Sequence, residues 1–173
     1  GETSDNASGG NIKLSTGAGI ATSSGMFILR TGDAGTAGVS GGVSISSGRS
    51  TAGDSGSISM SSGQAVGGKA GDISLSVRSG DTGAGGKVVI SAGESTASAS
   101  GGDISLRTGF STQTSSGSLT METVDAGSSG VSGDISFETG QSSAGDSGSI
   151  TWQSGQARGG KAGFVSVIAG SGD

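Results

Sequence analysis

The chain repeats a long stretch of its own sequence almost unchanged. Residues 52–71 read AGDSGSISMSSGQAVGGKAG, and residues 144–163 read AGDSGSITWQSGQARGGKAG, 92 positions later. Sliding residues 1–81 onto residues 93–173 needs no gap and matches 45 of 81 positions. Self-similarity at a fixed spacing indicates a repeat architecture, in which equivalent segments adopt equivalent structures.

The 92-residue repeat contains six shorter units of 15 or 16 residues, and every unit opens on a glycine. Residues 1–9 match residues 93–101, so we expect them to be the tail of a preceding unit and the chain to be a segment of a longer array. Residues 10–101 are then the first block, and residues 102–173 are a second, truncated block. The units are 10–24, 25–40, 41–55, 56–70, 71–85, 86–101, 102–116, 117–132, 133–147, 148–162 and the partial 163–173.

The first half of every unit carries a strand pattern. Counting from the opening glycine, positions 3 and 5 are apolar in all eleven units, and position 4 is mostly serine or threonine. Such alternation between flanking glycines is typical of a short β-strand. A unit of about 15 residues is too short for a propeller blade or a helix pair, and its length suits one coil of a β-solenoid.

The sequence therefore predicts an all-β fold, a single β-solenoid of about 11 coils with parallel strands in register. Each coil would stack its positions 3 and 5 on those of the previous coil and bury two apolar columns. The small residues of the second half would form the return wall. We expect the core ladder to include Ile12, Leu14, Ile45, Ile58, Ile73, Leu75, Ile104, Leu106, Ile135, Phe137, Ile150 and Trp152.

The positions of oppositely charged residues support this register. Asp54 and Lys69 occupy position 14 of adjacent units, and Asp146 and Lys161 repeat the pair one block later. Stacked coils would place these opposite charges side by side, where cross-strand pairs contribute about 0.2–1 kcal/mol. We therefore expect an ion pair at each of these two places.

The composition argues against catalysis and cofactors. The chain has no His and no Cys, so the usual general base and thiolate chemistry are missing, and its acids are dispersed. Asp recurs in too few units for a calcium-binding nonapeptide array. The nine Lys and Arg residues are scattered and no apolar run approaches about 20 residues, which disfavours nucleic acid and membrane insertion. We predict a non-enzyme with no cofactor.

Some apolar residues occupy positions that should face water. Exposed apolar clusters mark contact surfaces, so we interpret this set as a possible lateral contact for self-association, end to end or side by side. Asn6 opens the sequon Asn6-Ala7-Ser8 and is a possible glycosylation site, which would make the chain a secreted glycoprotein. The lateral set comprises Met26, Ile28, Val89, Phe164 and Ile168.

The units resemble the Gly/Ser/Thr-rich β-solenoid arrays of secreted and cell-surface proteins, such as repeat adhesins and extracellular filaments. This resemblance covers the whole chain and implies a structural protein, a segment of an extracellular rod, fibre or surface stalk. Short-coil antifreeze solenoids are also similar in coil length, and the ranks of serine and threonine at positions 4 and 7 keep ice binding or glycan binding as the alternative.

Overall fold

Every repeat closes into a loop at a narrow neck. In the computed structural model, which describes residues 8–172, position 7 of one unit lies against the glycine that opens the next unit. A Cβ atom placed on Gly117, for example, would lie 3.4 Å from the Cβ atom of Thr108. The same neck recurs in ten units, at Thr16–Gly25, Thr31–Gly41, Ser47–Gly56, Ser62–Gly71, Val77–Gly86, Ala92–Gly102, Thr108–Gly117, Thr123–Gly133, Thr139–Gly148 and Ser154–Gly163.

Backbone hydrogen bonds join the two sides of several necks. The N–H of the opening glycine donates to the carbonyl of position 8 in the preceding unit, at 2.9–3.0 Å. Both residues are glycines in each of these three necks. These bonds are Gly25 N to Gly17 O, Gly102 N to Gly93 O and Gly117 N to Gly109 O.

Threonine side chains at position 7 reinforce two necks. The Oγ1 hydroxyl of Thr16 donates to the carbonyl oxygen of Gly25 at 3.0 Å, and that of Thr31 donates to the carbonyl oxygen of Gly41 at 2.9 Å. Thr31 is also one of the few described residues that is half-buried rather than exposed. A closed loop of this length, with its ends in contact, is an Ω-loop.

Each loop turns at one sharp bend, and the bends follow the sequence repeat. They lie at 20–22, 36–38, 51–53, 66–68, 81–84, 97–99, 112–114, 128–130, 143–145 and 158–160. In the 16-residue units the bend starts one position later, so the extra residue is accommodated before it. Gly67 and Gly159 are equivalent in the two blocks and have φ values of 79° and 88°, a region where glycine is strongly favoured.

Serine at position 10 anchors several of these bends. The Ser50 and Ser142 hydroxyl oxygens accept hydrogen bonds from the N–H groups of Gly53 and Gly145, at 3.1 and 3.0 Å. Ser111 accepts a similar bond from the N–H of residue 114 at 3.0 Å. Serine hydroxyls commonly bind backbone N–H groups in turns, so a recurrent serine here fixes the loop.

The β-solenoid prediction is wrong. Residues 8–172 contain no helix and no strand, so there is no sheet with parallel strands in register. The backbone hydrogen bonds outside secondary structure, taken over these residues, join groups of one loop or its neck, not equivalent positions of successive units. Closing each unit on itself engages opening-glycine N–H groups locally, where a stacked coil would direct backbone groups to its neighbour.

The apolar interior that this prediction required does not form among the described residues. No hydrophobic side chain there is buried, and the twelve proposed core residues are exposed by between 49% at Ile150 and 92% at Ile12. Without sheet pairing, positions 3 and 5 are not drawn together into a closed layer. The residues concerned are Ile12, Leu14, Ile45, Ile58, Ile73, Leu75, Ile104, Leu106, Ile135, Phe137, Ile150 and Trp152.

The accessible surface measures how little the chain buries by itself. It amounts to 17528 Å² for a mass of 16.1 kDa. A folded monomer of this mass exposes about 7400 Å², and its extended chain about 23300 Å². The structure is therefore much nearer to the extended limit, and its order is local, held by necks and bends. At a larger scale the chain divides into two compact parts, Gly1–Lys87 and Val88–Asp173.

Replacing Gly86 by alanine should open one neck. A Cβ atom at this position would lie 2.6 Å from Cγ1 of Val77, and relieving such an overlap costs about 1–3 kcal/mol. Arg78 is the first residue of the loop that this neck closes. We expect tryptic cleavage after Arg78 to accelerate about 5- to 150-fold, the factor that corresponds to 1–3 kcal/mol.

The matched control is Gly71→Ala, where the new Cβ atom would meet the Cβ atom of Ser62 at an ordinary 3.7 Å. Cleavage after Lys69, in the loop of that neck, should stay at the wild-type rate. Adding Val77→Ser to Gly86→Ala should restore slow cleavage after Arg78. If Gly86→Ala accelerates cleavage after Arg78 no more than Gly71→Ala accelerates cleavage after Lys69, the role of the neck is contradicted.

Ser142→Ala should release the bend that Ser142 anchors. The lost hydrogen bond from the Gly145 N–H contributes about 0.5–1.5 kcal/mol, so amide exchange at Gly145 should rise about 2- to 12-fold. Exchange measured by NMR reports this directly. Ser143→Ala, one residue along the same bend, is the control and should have little effect; a similar rise in both variants would refute the anchoring role.

Candidate functional site

An apolar groove of about 940 Å³ lies in the compact part Val88–Asp173. Successive repeats contribute their positions 3 and 5 to it, because each repeat begins again at a neck and so presents the same two residues. We call this feature the apolar groove. Its lining consists of Met121, Ile135, Phe137, Trp152, Val165, Ser166, Val167 and Ile168.

Two aromatic rings contact each other in the groove. The rings of Phe137 and Trp152 have centroids 5.4 Å apart and planes at 84°, an edge-to-face arrangement. Such pairs contribute about 0.5–1.5 kcal/mol beyond the area they bury. Both residues occupy position 5, in consecutive units. The sequence placed this contact inside a core, whereas the structure places it on an open surface.

The groove remains open to solvent along its length. Phe137 is 51% exposed, Trp152 is 64% exposed and Ile168 is 87% exposed. None of the lining residues carries a charge, and Ser166 is the single polar residue among them. Such a surface gains free energy by covering apolar area, at about 25 cal/mol per Å², and its lining offers no acid or base for a reaction.

The second block is more aromatic and more apolar here than the first. Where the first block has Ile45 and Met60, the second has Phe137 and Trp152, and Ser76 becomes Ile168. At the neighbouring position Asp72 becomes Phe164. All four exchanges add aromatic surface or replace a polar group by an apolar one, so the groove is a local specialisation of a shared scaffold.

The predicted lateral-contact residues are exposed, and one of them lines the groove. Ile168 belongs to the lining, while Val89 and Phe164 lie outside it, 71% and 87% exposed. Met26 and Ile28 are 81% and 70% exposed in the compact part Gly1–Lys87. Their role in contacts stays a prediction. Asn6 lies outside the described residues.

Sequence reasoning missed the groove because it assigned most of the lining residues to an interior and Ile168 to a lateral contact. The recurrence of apolar residues at positions 3 and 5 did mark six of the eight lining residues. The sequence did not indicate that the apolar residues at positions 3 and 5 of successive units remain exposed to solvent. The replacement of Ser76 by Ile168 was the signal that the second block differs.

A second, smaller cavity of about 500 Å³ lies at the neck between Thr108 and Gly117. Phe110 lines it and is 86% exposed, and Arg107 supplies the positive charge at its rim. The remaining lining residues are Leu106, Gly109, Ser116 and Leu119. This cavity lies within a single loop and the start of the following unit.

The charge pairs differ from those expected. Lys69 Nζ lies 2.9 Å from Asp72 Oδ1, three residues along the chain, rather than beside Asp54. No ion pair joins Asp146 to Lys161 within residues 8–172. Without stacked coils, position 14 of one unit does not reach position 14 of the next, so Lys69 pairs with its nearest acid. Position 72 is Phe164 in the second block, which removes the equivalent partner.

The described residues offer no other recognisable chemical centre. No group of three or more acidic, histidine or cysteine residues gathers as metal ligands in residues 8–172. The same residues contain no helix with the length and apolar character needed to cross a bilayer. Two of the position-7 threonines considered for ice binding, Thr16 and Thr31, use their hydroxyls at necks.

Comparison with known proteins found no matching family model, curated protein or solved structure. The likeness to solenoid arrays therefore rests on the repeat pattern alone.

Phe137→Ser should weaken binding of a small apolar dye to the groove. Losing this half-exposed ring removes about 1 kcal/mol of apolar contact, which corresponds to about fivefold in Kd. The chain's single tryptophan, Trp152, lines the groove, so energy transfer from Trp152 to a bound naphthalene sulfonate dye measures occupancy. Phe110→Ser, in the smaller cavity, should leave the titration unchanged; a matching loss there would contradict specific binding in the groove.

Proposed function

We propose that the chain is a non-enzymatic structural protein that associates with further copies of itself into an extracellular fibre or surface stalk. The observation that carries this proposal is the exposure of all the large apolar residues at positions 3 and 5 of the described repeats. A chain that exposes 17528 Å² cannot balance its conformational entropy by internal burial.

Repetition favours association with copies of the same chain. Every unit offers the same two apolar positions and the same extended backbone, so one copy presents many equivalent contacts to another. The unpaired N–H and C=O groups of extended segments are templates for pairing with another chain. Contacts that are individually weak become strong when many form together.

The chemistry of the surface supports a structural role over catalysis. The groove has no ionisable group in its lining, and the whole chain has no His or Cys. The extracellular placement is supported by the Gly/Ser/Thr-rich composition and by the Asn6-Ala7-Ser8 sequon. Ice binding and glycan binding stay predictions, and an ice-recrystallisation assay and a glycan screen test them.

Sedimentation and electron microscopy of the full chain test the proposal together. We expect the mean mass to rise steadily above 16.1 kDa as concentration increases, and we expect elongated particles in the micrographs. Thermal stability should rise with concentration too, because association stabilises the ordered state by mass action. A single 16.1 kDa species at every concentration, with no elongated particles, would contradict the proposal.

A further inference from the structure

One short segment of the chain is apolar at four consecutive positions. Residues Met26–Leu29 form the longest unbroken apolar run of the sequence, and their exposed fractions are 81%, 61%, 70% and 65%. In a typical repeat, positions 2 and 4 are polar; the second block has Ser118 and Thr120 where this segment has Met26 and Ile28. We call residues 26–29 the apolar segment.

We propose that the apolar groove of one copy binds the apolar segment of a second copy. This inference rests on the proposed self-association and names the two surfaces that carry it. The groove takes an apolar partner, because its lining is apolar and carries no charge. The apolar segment supplies four consecutive apolar residues, the longest such run in this chain.

The backbone of the apolar segment adds to the fit. Among the described residues, no backbone hydrogen bond outside secondary structure involves residues 26–29, and the segment belongs to neither helix nor strand. An extended peptide that lies along another extended segment gains main-chain hydrogen bonds together with side-chain burial. Joining the two surfaces would satisfy groups that each copy leaves open to water.

Charges flanking the two surfaces are complementary. Arg30 follows the apolar segment at position 6, while Glu122 and Glu138 occupy position 6 directly after the groove residues Met121 and Phe137. A segment lying in register with these units would place the arginine level with the two glutamates. Opposite charges at the rim of an interface favour the correct register and speed encounter. The block duplication thus has opposite signs at equivalent positions, Arg30 and Glu122.

The symmetry of this contact determines what it builds. The groove and the apolar segment are different surfaces, so each bound copy leaves one of each surface free for the next. Contacts of this kind are heterologous and produce rings or open filaments rather than closed dimers. The pairing therefore accounts for growth in one direction, head to tail.

Two double variants separate the surfaces. Met26→Ser with Ile28→Thr gives the apolar segment the residues of the second block, and Phe137→Ser with Ile168→Ser makes the groove polar. We expect each variant alone to raise the concentration needed for assembly about tenfold or more, since two apolar contacts are lost. The control is Ile20→Thr, which replaces another exposed apolar residue by its second-block counterpart and should assemble as the wild type does.

Trp152 reports on the groove itself. It is the single tryptophan of the chain and is 64% exposed, so its emission should shift to shorter wavelength as the wild-type concentration rises. The segment variant, whose groove is intact, should lack this shift. An equal shift in the segment variant would overturn the inference, because something other than residues 26–29 would then cover the groove.

Mixing the two variants provides the sharpest test. The segment variant retains its groove and the groove variant retains its apolar segment, so together they should form 1:1 dimers that grow no further. Sedimentation distinguishes these dimers from both monomers and filaments. A mixture that remains monomeric, with no shift in the emission of Trp152, would overturn the inference.

Failure of the inference and failure of the proposed function give different results. If both double variants assemble as well as the wild type, copies associate through other surfaces, and the head-to-tail pairing is wrong while the structural role stands. If the wild type stays monomeric at every concentration, the proposed function itself is wrong. Loss of assembly in one variant alone would also overturn the pairing of these two surfaces.

Discussion

The closure of each repeat at its neck is the constraint on which the rest of the structure depends. An opening glycine lies against position 7 of the preceding unit, and in three necks its N–H binds the carbonyl of position 8. Order is therefore built loop by loop, with few contacts distant in sequence. Such closure is entropically inexpensive, since loops of about nine residues are short, but it brings no apolar side chain into an interior.

Because the repeats close locally, a single copy leaves its apolar residues exposed to solvent. Half-buried side chains among the described residues, such as Thr31, Ser111 and Ser154, belong to necks and bends, whereas the aliphatic and aromatic residues remain open. The arrangement reverses that of an ordinary domain, where apolar residues are the most buried. In the proposed self-association, other copies would cover those residues, and the groove around Phe137 and Trp152 is the place where the second block has gained aromatic surface.

The sequence predicted the fold wrongly, for an identifiable reason. Unit boundaries at the opening glycines correspond to the necks, and the extra residue of the longer units falls just before the bend. Alternation at positions such as Ile135 and Phe137 indicates which residues share a face, but it does not say whether the next strand lies within pairing distance. That depends on whether a glycine N–H such as that of Gly117 binds within its own loop or across to the next, and composition does not distinguish the two.

Amide hydrogen exchange of the dilute, monomeric chain tests this account most directly. The neck amides of Gly25, Gly102 and Gly117 each donate a hydrogen bond to position 8 of the preceding unit, so they should exchange slowly relative to the amides at positions 3 and 5, such as Ile104 and Leu106. Slow exchange at positions 3 and 5 of every repeat, with unprotected neck amides, would contradict the account, because it would mean that successive repeats pair with one another instead of closing on themselves.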